Sequence, residues 1–201
     1  MCRAARSTGP QHKKNVEQSK EEENDVPRIF SDFYYMNTAE DSVPMLALKF
    51  SRSSRPAATA LPAKGVTEYG QKFFTRFIKE AGVRRFINFS DNEHAMVALK
   101  DAAAQACEGV EHTPQACPQG DHQANGHIES TVRELKRQMR ALRLNLEKKL
   151  RQHNPNAGFT QLDDTDSVLF WMPEFVASAI AWYRKGPGGK TPYEREFGRT
   201  G

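Results

Sequence analysis

Three acidic residues stand where a carboxylate is costly or conspicuous. Asp32 falls inside the apolar run "RIFSDFYYM", with Ile29, Phe33 and Tyr34 around it; Asp91 directly follows "FINFS"; and Glu129 opens "NGHIESTVRELKRQM". An acid embedded in an apolar strand, or at its carboxyl end, costs free energy unless it is paired, capped or bound to a metal. Three carboxylates brought together repel one another and need cations, and hard Mg²⁺ takes oxygen ligands while keeping some of its waters. Two such ions about 4 Å apart suit in-line displacement at phosphorus, one activating the nucleophile and the other stabilising the leaving oxygen. The expected cofactor is therefore a pair of Mg²⁺ (or Mn²⁺) ions on Asp32, Asp91 and Glu129, with no zinc.

A row of cations lies above the third acid. Ile128, Val132, Leu135, Met139, Leu142, Leu146 and Leu150 recur at steps of three and four, which makes one apolar stripe along a long amphipathic helix. Glu129, Arg133, Lys136, Arg140 and Arg143 run parallel to that stripe, one residue round from it. Arg133 and Lys136, one and two turns beyond Glu129, are placed to hold a phosphate backbone in register, and Arg137 and Arg140 complete the candidate DNA-binding set. Each feature has a plainer alternative. Asp32 could be a turn cap or a solvated edge residue, Asp91 could cap the next helix, and Glu129 could favour a helix dipole. The cationic row could be a solvated face.

The elements that must position these residues follow from pattern. "RIFSDFYYM", "PMLALKF" and "PAATALPA" read as three strands, the last two joined by turn-prone "SRSSRP". "VTEYGQKFFTRFIKEAG" has helical spacing at Tyr69, Phe73, Phe77 and Ile78 and stops at Gly82. "RRFINFSD" is a buried strand, "NEHAMVALKDAAAQA" a helix, and "VEHTPQA" a fifth strand before a loop rich in Pro, Gly, Asp and His. The long basic helix and then "SVLFWMPEFVASAIAWYRK" complete the pattern. Three strands followed by helix and strand in alternation predict an α/β domain with a mixed sheet. If the first and fourth strands are neighbours, the three acids can converge at one end of it.

Composition narrows the class. The 201 residues are 38% apolar and 27% charged with a net charge of +4, enough chain for one domain with a core and polar ends. A pI near 9.0 gives weak support for a polyanionic partner. No apolar run is long enough to cross a membrane, and basic residues without an apolar stretch at the N-terminus do not read as a secretory signal. Cys2, Cys107 and Cys117 do not form a disulfide framework. Cys107, His112 and Cys117 match the last three positions of a zinc knuckle, but residue 104, where the first ligand belongs, is alanine. "GGKT" at 188–191 lacks the first glycine of a phosphate-binding loop and reads as a turn. Asp163, Asp164 and Asp166 read as caps of the following helix, and Trp171, Phe175, Ile180 and Trp182 as packing for the core or a dimer surface.

Taken in order with their flanking segments, Asp32, Asp91 and Glu129 resemble the D,D,E triad of retroviral and retrotransposon integrase catalytic cores. "SDNEHAMVALK" is similar to the stretch around that family's second acid, and "NGHIESTVRELKRQM" to the segment around its glutamate. "TPYEREFGR" resembles the motif that ends the core in retrotransposon polyproteins. The resemblance implies an RNase H-like fold with a mixed five-stranded sheet flanked by helices. It also implies metal-dependent cleavage of DNA ends and their joining to target DNA, with Asp32, Asp91 and Glu129 as metal ligands and Arg133 and Lys136 touching DNA. The partners are then retroelement ends and target DNA, with no membrane, and a homo-oligomer is expected. Action is expected in the nucleus after a cytoplasmic stage. The expected layout is a polar linker at 1–26, a remnant after a lost zinc module, a catalytic core at 27–199 and a tail at 200–201. The 37 residues between Asp91 and Glu129 make a spacing slightly longer than usual. Two other readings keep the fold or the charge: a nuclease cutting an RNA–DNA hybrid, and a catalytically dead nucleic-acid-binding remnant.

Overall fold

The computed structural model describes residues 26–36, 43–116, 122–153, 155, 161–163 and 166–198. Strands β1 (Arg28–Tyr34), β2 (Met45–Phe50) and β3 (Pro56–Ala60) are followed by helix α1 (Glu68–Glu80) and strand β4 (Arg85–Ser90). Helix α2 (His94–Gln105), strand β5 (Glu111–Ala116) and helices α3 (His122–His153), α4 (Ser167–Tyr183) and α5 (Pro192–Phe197) complete the order. All five expected strands form, and the polar segment expected at the N-terminus lies, but for Val26, outside the described residues.

The strands make one sheet in the order β3-β2-β1-β4-β5. β1 pairs antiparallel with β2 and parallel with β4; β2–β3 is antiparallel and β4–β5 parallel. A meander of three strands needs only short turns, whereas each parallel neighbour needs a helical crossover, and α1 and α2 supply these. Side-chain alternation then assigns the two faces. Ile29 and Phe33 of β1 join Phe74, Phe77 and Ile78 of α1 and Met96 and Leu99 of α2 in one buried cluster. Phe30 and Tyr34 join Ile128, Leu135 and Met139 of α3 and Met172, Val176 and Ala177 of α4 in the other. The central strand is apolar on both faces because both are covered by helices.

Local chemistry explains the helix limits. Thr67 caps α1, its Oγ1 accepting from the Gly70 N–H at 3.1 Å. The chain leaves α1 through Gly82 at φ +63°, a left-handed conformation suited to glycine. The face α1 buries includes Gly70, Phe74, Phe77 and Ile78, while Tyr69 is 47% exposed, its hydroxyl on Glu174 of α4. The stripe from Ile128 to Leu150 is the buried or half-buried side of α3, as its spacing predicts. Pro187–Gly189, within the "GPGGKT" stretch, is a short 3₁₀ turn. Asp166 stands at the head of α4, yet its carboxylate accepts from the Asp163 N–H at 2.8 Å instead of capping the helix.

Candidate carboxylate site and cationic helix face

The β1–β4 register decides where the first two acids go. Phe30 lies opposite Phe89 across this parallel pair, and their rings meet edge to face at 5.5 Å on the α3 side of the sheet. Asp32 is two residues beyond Phe30, and Asp91 two beyond Phe89. The same register therefore sets the two acids side by side on that face, where β4 ends. Asp91 does not cap α2; Glu93 holds that position, and Asp91 Oδ1 accepts from the Glu93 N–H at 3.3 Å. The plainer reading of Asp91 as a helix cap is thus met in part: its carboxylate holds the backbone at the head of α2 without being the capping residue.

Glu129 arrives from the opposite layer. Its neighbour Ile128 is fully buried in the cluster containing Phe30 and Phe89, and the His127 ring packs on Phe30 at 5.1 Å. Lys49 Nζ of β2 donates to the His127 carbonyl at 3.3 Å, a further tie between this turn of α3 and the sheet. Glu129 itself is exposed on the helix surface.

The electrostatics of Asp32 report how these groups lie. Burial first, and the Asp91 charge second, push its carboxyl up to about 7; Glu93 and Glu129 add to the rise, and a hydrogen bond from the Phe33 backbone opposes it. All three acids singled out in the sequence therefore share one field. Among the described residues, however, no group of three His, Cys, Asp or Glu side chains is gathered closely enough to hold a metal ion. The donor set suits a hard divalent cation, being carboxylate oxygens whose mutual repulsion such a cation would relieve. The closed arrangement of ligands is not formed.

Two neighbours of the site were not evident from the sequence. Glu93 belongs to the same field and pairs with Lys64 at 2.7 Å; the Lys64 ammonium also lies over the Phe33 and Tyr35 rings at 5.6 and 5.4 Å. Lys100 of α2 is buried at 2% exposure and donates to Ser90 Oγ at 2.9 Å, while Ser90 Oγ donates to the Asp91 carbonyl at 2.7 Å. Burial pushes the Lys100 ammonium below its usual range, with Asp101 and Asp91 opposing that fall. The only trace of either in the sequence is a charge close to Asp91 or a lysine set in an apolar helix face.

The cationic row divides. Arg133 and Arg140 are exposed. Lys136 is half-buried, its ammonium 6.0 Å from the Tyr34 ring centre. Arg137 is engaged by Glu134, with Nη2 at 2.8 Å and Nε at 3.0 Å from its carboxylate. That pairing, above all, holds the Glu134 carboxyl down at about 2. Arg143 is turned inward: it pairs with Glu147 at 3.0 Å and donates to the Leu162 carbonyl, so it serves the fold. Cys107 is buried with its thiol directed at the Thr75 carbonyl at 3.8 Å, and Cys117 lies outside the described residues.

No protein-family model matches this sequence, and no curated protein matches it either. Solved structures do. The catalytic core domain of BIV integrase superposes with a TM-score of 0.51 at 15% identity, covering 84% of this chain and 92% of that one. The HTLV-2 integrase catalytic core domain, solved in complex with magnesium in a trimeric form, gives a TM-score of 0.49 at 13% identity, covering 84% and 95%. The mixed five-stranded sheet flanked by helices is thus a known architecture: this chain has the fold of the retroviral integrase catalytic core.

Proposed function

We propose that the chain is an integrase catalytic domain of a retroelement, a metal-dependent polynucleotidyl transferase that cleaves DNA ends and joins them to target DNA. One observation carries the reading: the charges of Asp91 and Glu129 both raise the Asp32 carboxyl, on a fold shared with an integrase core. Asp32, Asp91 and Glu129 would hold Mg²⁺ or Mn²⁺, which supplies charge neutralisation at phosphorus and activation of a water or 3′-hydroxyl nucleophile. The chain's own part is positional. Arg133, Arg140 and Lys136 grip the phosphate backbone along α3, the buried Lys100 and Ser90 hold the end of β4, and His127 on Phe30 fixes the turn that carries Glu129. Homo-oligomeric assembly and action in the nucleus belong to the same proposal. A second reading, a nucleic-acid-binding domain without catalysis, is favoured by the open arrangement of the three acids.

Thermal melting against increasing Mg²⁺ or Mn²⁺ separates the two. For an assembled site, saturation near 100 times the dissociation constant adds roughly 2.7 kcal/mol, a rise of several degrees that Asp91→Asn abolishes. Joining of a labelled duplex end to plasmid DNA, lost in the same variant, then establishes the activity. A duplex that binds equally well with and without metal, with no thermal rise in either protein, would establish the non-catalytic reading.

A further inference from the structure

The side of β4 turned away from the acids carries a polar spot in an otherwise apolar layer. Phe86 packs toward α1 and α2 and Phe89 toward α3, so alternation sends Asn88 and Ser90 to the α1 and α2 side and keeps Asp91 on the other. Asn88 and Ser90 are fully buried, and neither amide atom of Asn88 has a hydrogen-bond partner among the described residues. Lys100 enters from α2, its ammonium 2.9 Å from Ser90 Oγ. Among the described residues no carboxylate is in salt-bridge contact with it. A buried ammonium without an ion-pair partner is costly, and a methionine would fill much the same space without that cost. Packing alone does not account for a lysine here.

What the lysine touches supplies the reason. β4 is paired with β1 as far as Phe89 and with β5 as far as Ser90. Asp91 comes next, past the last rung of either ladder, so sheet pairing does not fix its backbone. Hydrogen bonds around it do. Ser90 Oγ, accepting from the Lys100 ammonium, donates to the Asp91 carbonyl at 2.7 Å, and the Asp91 carboxylate accepts from the Glu93 N–H at 3.3 Å. A hydroxyl that accepts from a cation becomes the stronger donor. The ammonium therefore tightens the bond that holds the Asp91 peptide, from the opposite face of the sheet.

We propose that Lys100 is a positioning residue: acting through Ser90, its buried charge orients Asp91 beside Asp32 and so sets how tightly the acids hold a divalent cation. The second half rests on the metal-site reading of the chain; the first does not. Three measurements on Lys100→Met and Lys100→Gln test it: Mn²⁺ affinity from the paramagnetic resonance of the free ion, exchange of the Glu93 amide proton in EDTA, and the melt in EDTA. Lys100→Met should melt no lower than the parent, since it removes a buried charge. Its Mn²⁺ affinity should nonetheless fall on the order of 10–100-fold, the usual loss when a residue that orients a metal ligand is removed, and its Glu93 amide should exchange faster. Lys100→Gln, which still offers Ser90 a donor, should recover part of both. Unchanged affinity with unchanged exchange in Lys100→Met overturns the proposal and leaves the metal site standing. Tighter Mn²⁺ binding there also overturns it, because the lysine would then act only as a repelling charge. If the parent binds no Mn²⁺, the metal-site reading falls with the second half of the proposal. Faster Glu93 exchange in Lys100→Met would then still uphold the orienting role, and unchanged exchange would overturn that as well.

Discussion

Asp32 carries the clearest physical signature among the residues. Its carboxyl sits at about 7 because it is partly buried and faces Asp91, Glu93 and Glu129. A raised carboxyl pKa means that the native state holds the proton more tightly than the unfolded chain. Between the ordinary value of 3.8 and about 7, stability therefore falls as pH rises, and above 7 the whole cost is present. Asp32→Asn should stabilise the metal-free protein by roughly 1–3 kcal/mol at pH 8 and by almost nothing below pH 4. Thermal melts in EDTA at the two pH values check this; equal gains at both would show that the effect is not electrostatic. The three acids were legible in the sequence because each breaks an apolar or helical pattern. Glu93 and Lys100 were not: one looks like a surface charge, and the other is a lysine whose burial depends on how α2 sits against β4.

Among the elements, the junction of the β2–β3 turn with α1 and α5 shows how long-range ties escape sequence reading. Arg55, 9% exposed, pairs with Glu196 at 2.8 Å and Glu80 at 3.2 Å and lies 4.3 Å over the Phe77 ring, while Ser53 donates to Glu196 at 2.6 Å. In the sequence, "SRSSRP" is only a turn and "TPYEREFGR" only a terminal motif; nothing in their spacing says that they meet. Arg55→Ala leaves the buried Glu196 charge without its partner and should cost about 3–5 kcal/mol, whereas replacing both residues with apolar ones, Arg55→Met with Glu196→Leu, should recover most of it. Urea denaturation of the two variants makes the comparison. The strands and helices themselves were legible, since their periodicities are strong and their turns carry glycine and proline. Helical spacing alone does not say that the Tyr69 hydroxyl finds Glu174 at the surface.

At the scale of the whole molecule, α4 gives its small residues to the core and its large ones to solvent. Met172, Val176, Ala177 and Ala181 are buried, while Phe170, Trp171, Phe175, Trp182 and Tyr183 are 41–81% exposed. The expectation of core or dimer packing for Trp171, Phe175, Ile180 and Trp182 thus divides: Ile180 packs, partly buried, against the core, and the three aromatics lie at the surface. Trp171 stacks on Phe175 at 4.6 Å and Trp182 on Tyr193 at 4.2 Å. An apolar patch of this kind commonly marks an interaction site, which agrees with the proposed self-association. Trp171→Glu with Phe175→Glu should convert an oligomer to monomer in sedimentation velocity without lowering the melting temperature at high dilution. A parent protein that is monomeric throughout would remove the oligomer from the proposal.

The sheet order also determines when the acidic site comes into being. β1, β2 and β3 follow one another and pair with near neighbours in sequence, but the Ser31 hydroxyl reaches the Phe89 carbonyl across 58 positions of chain. Pairing over that separation comes late, after the local meander has formed. Asp32 therefore spends the early part of folding without Asp91 beside it, and the repulsion between them is met only when β4 docks. A cation bound between them would have nothing to grip until then. It would leave the rate of folding nearly unchanged and act instead as a latch, lengthening the life of the folded chain by slowing its opening.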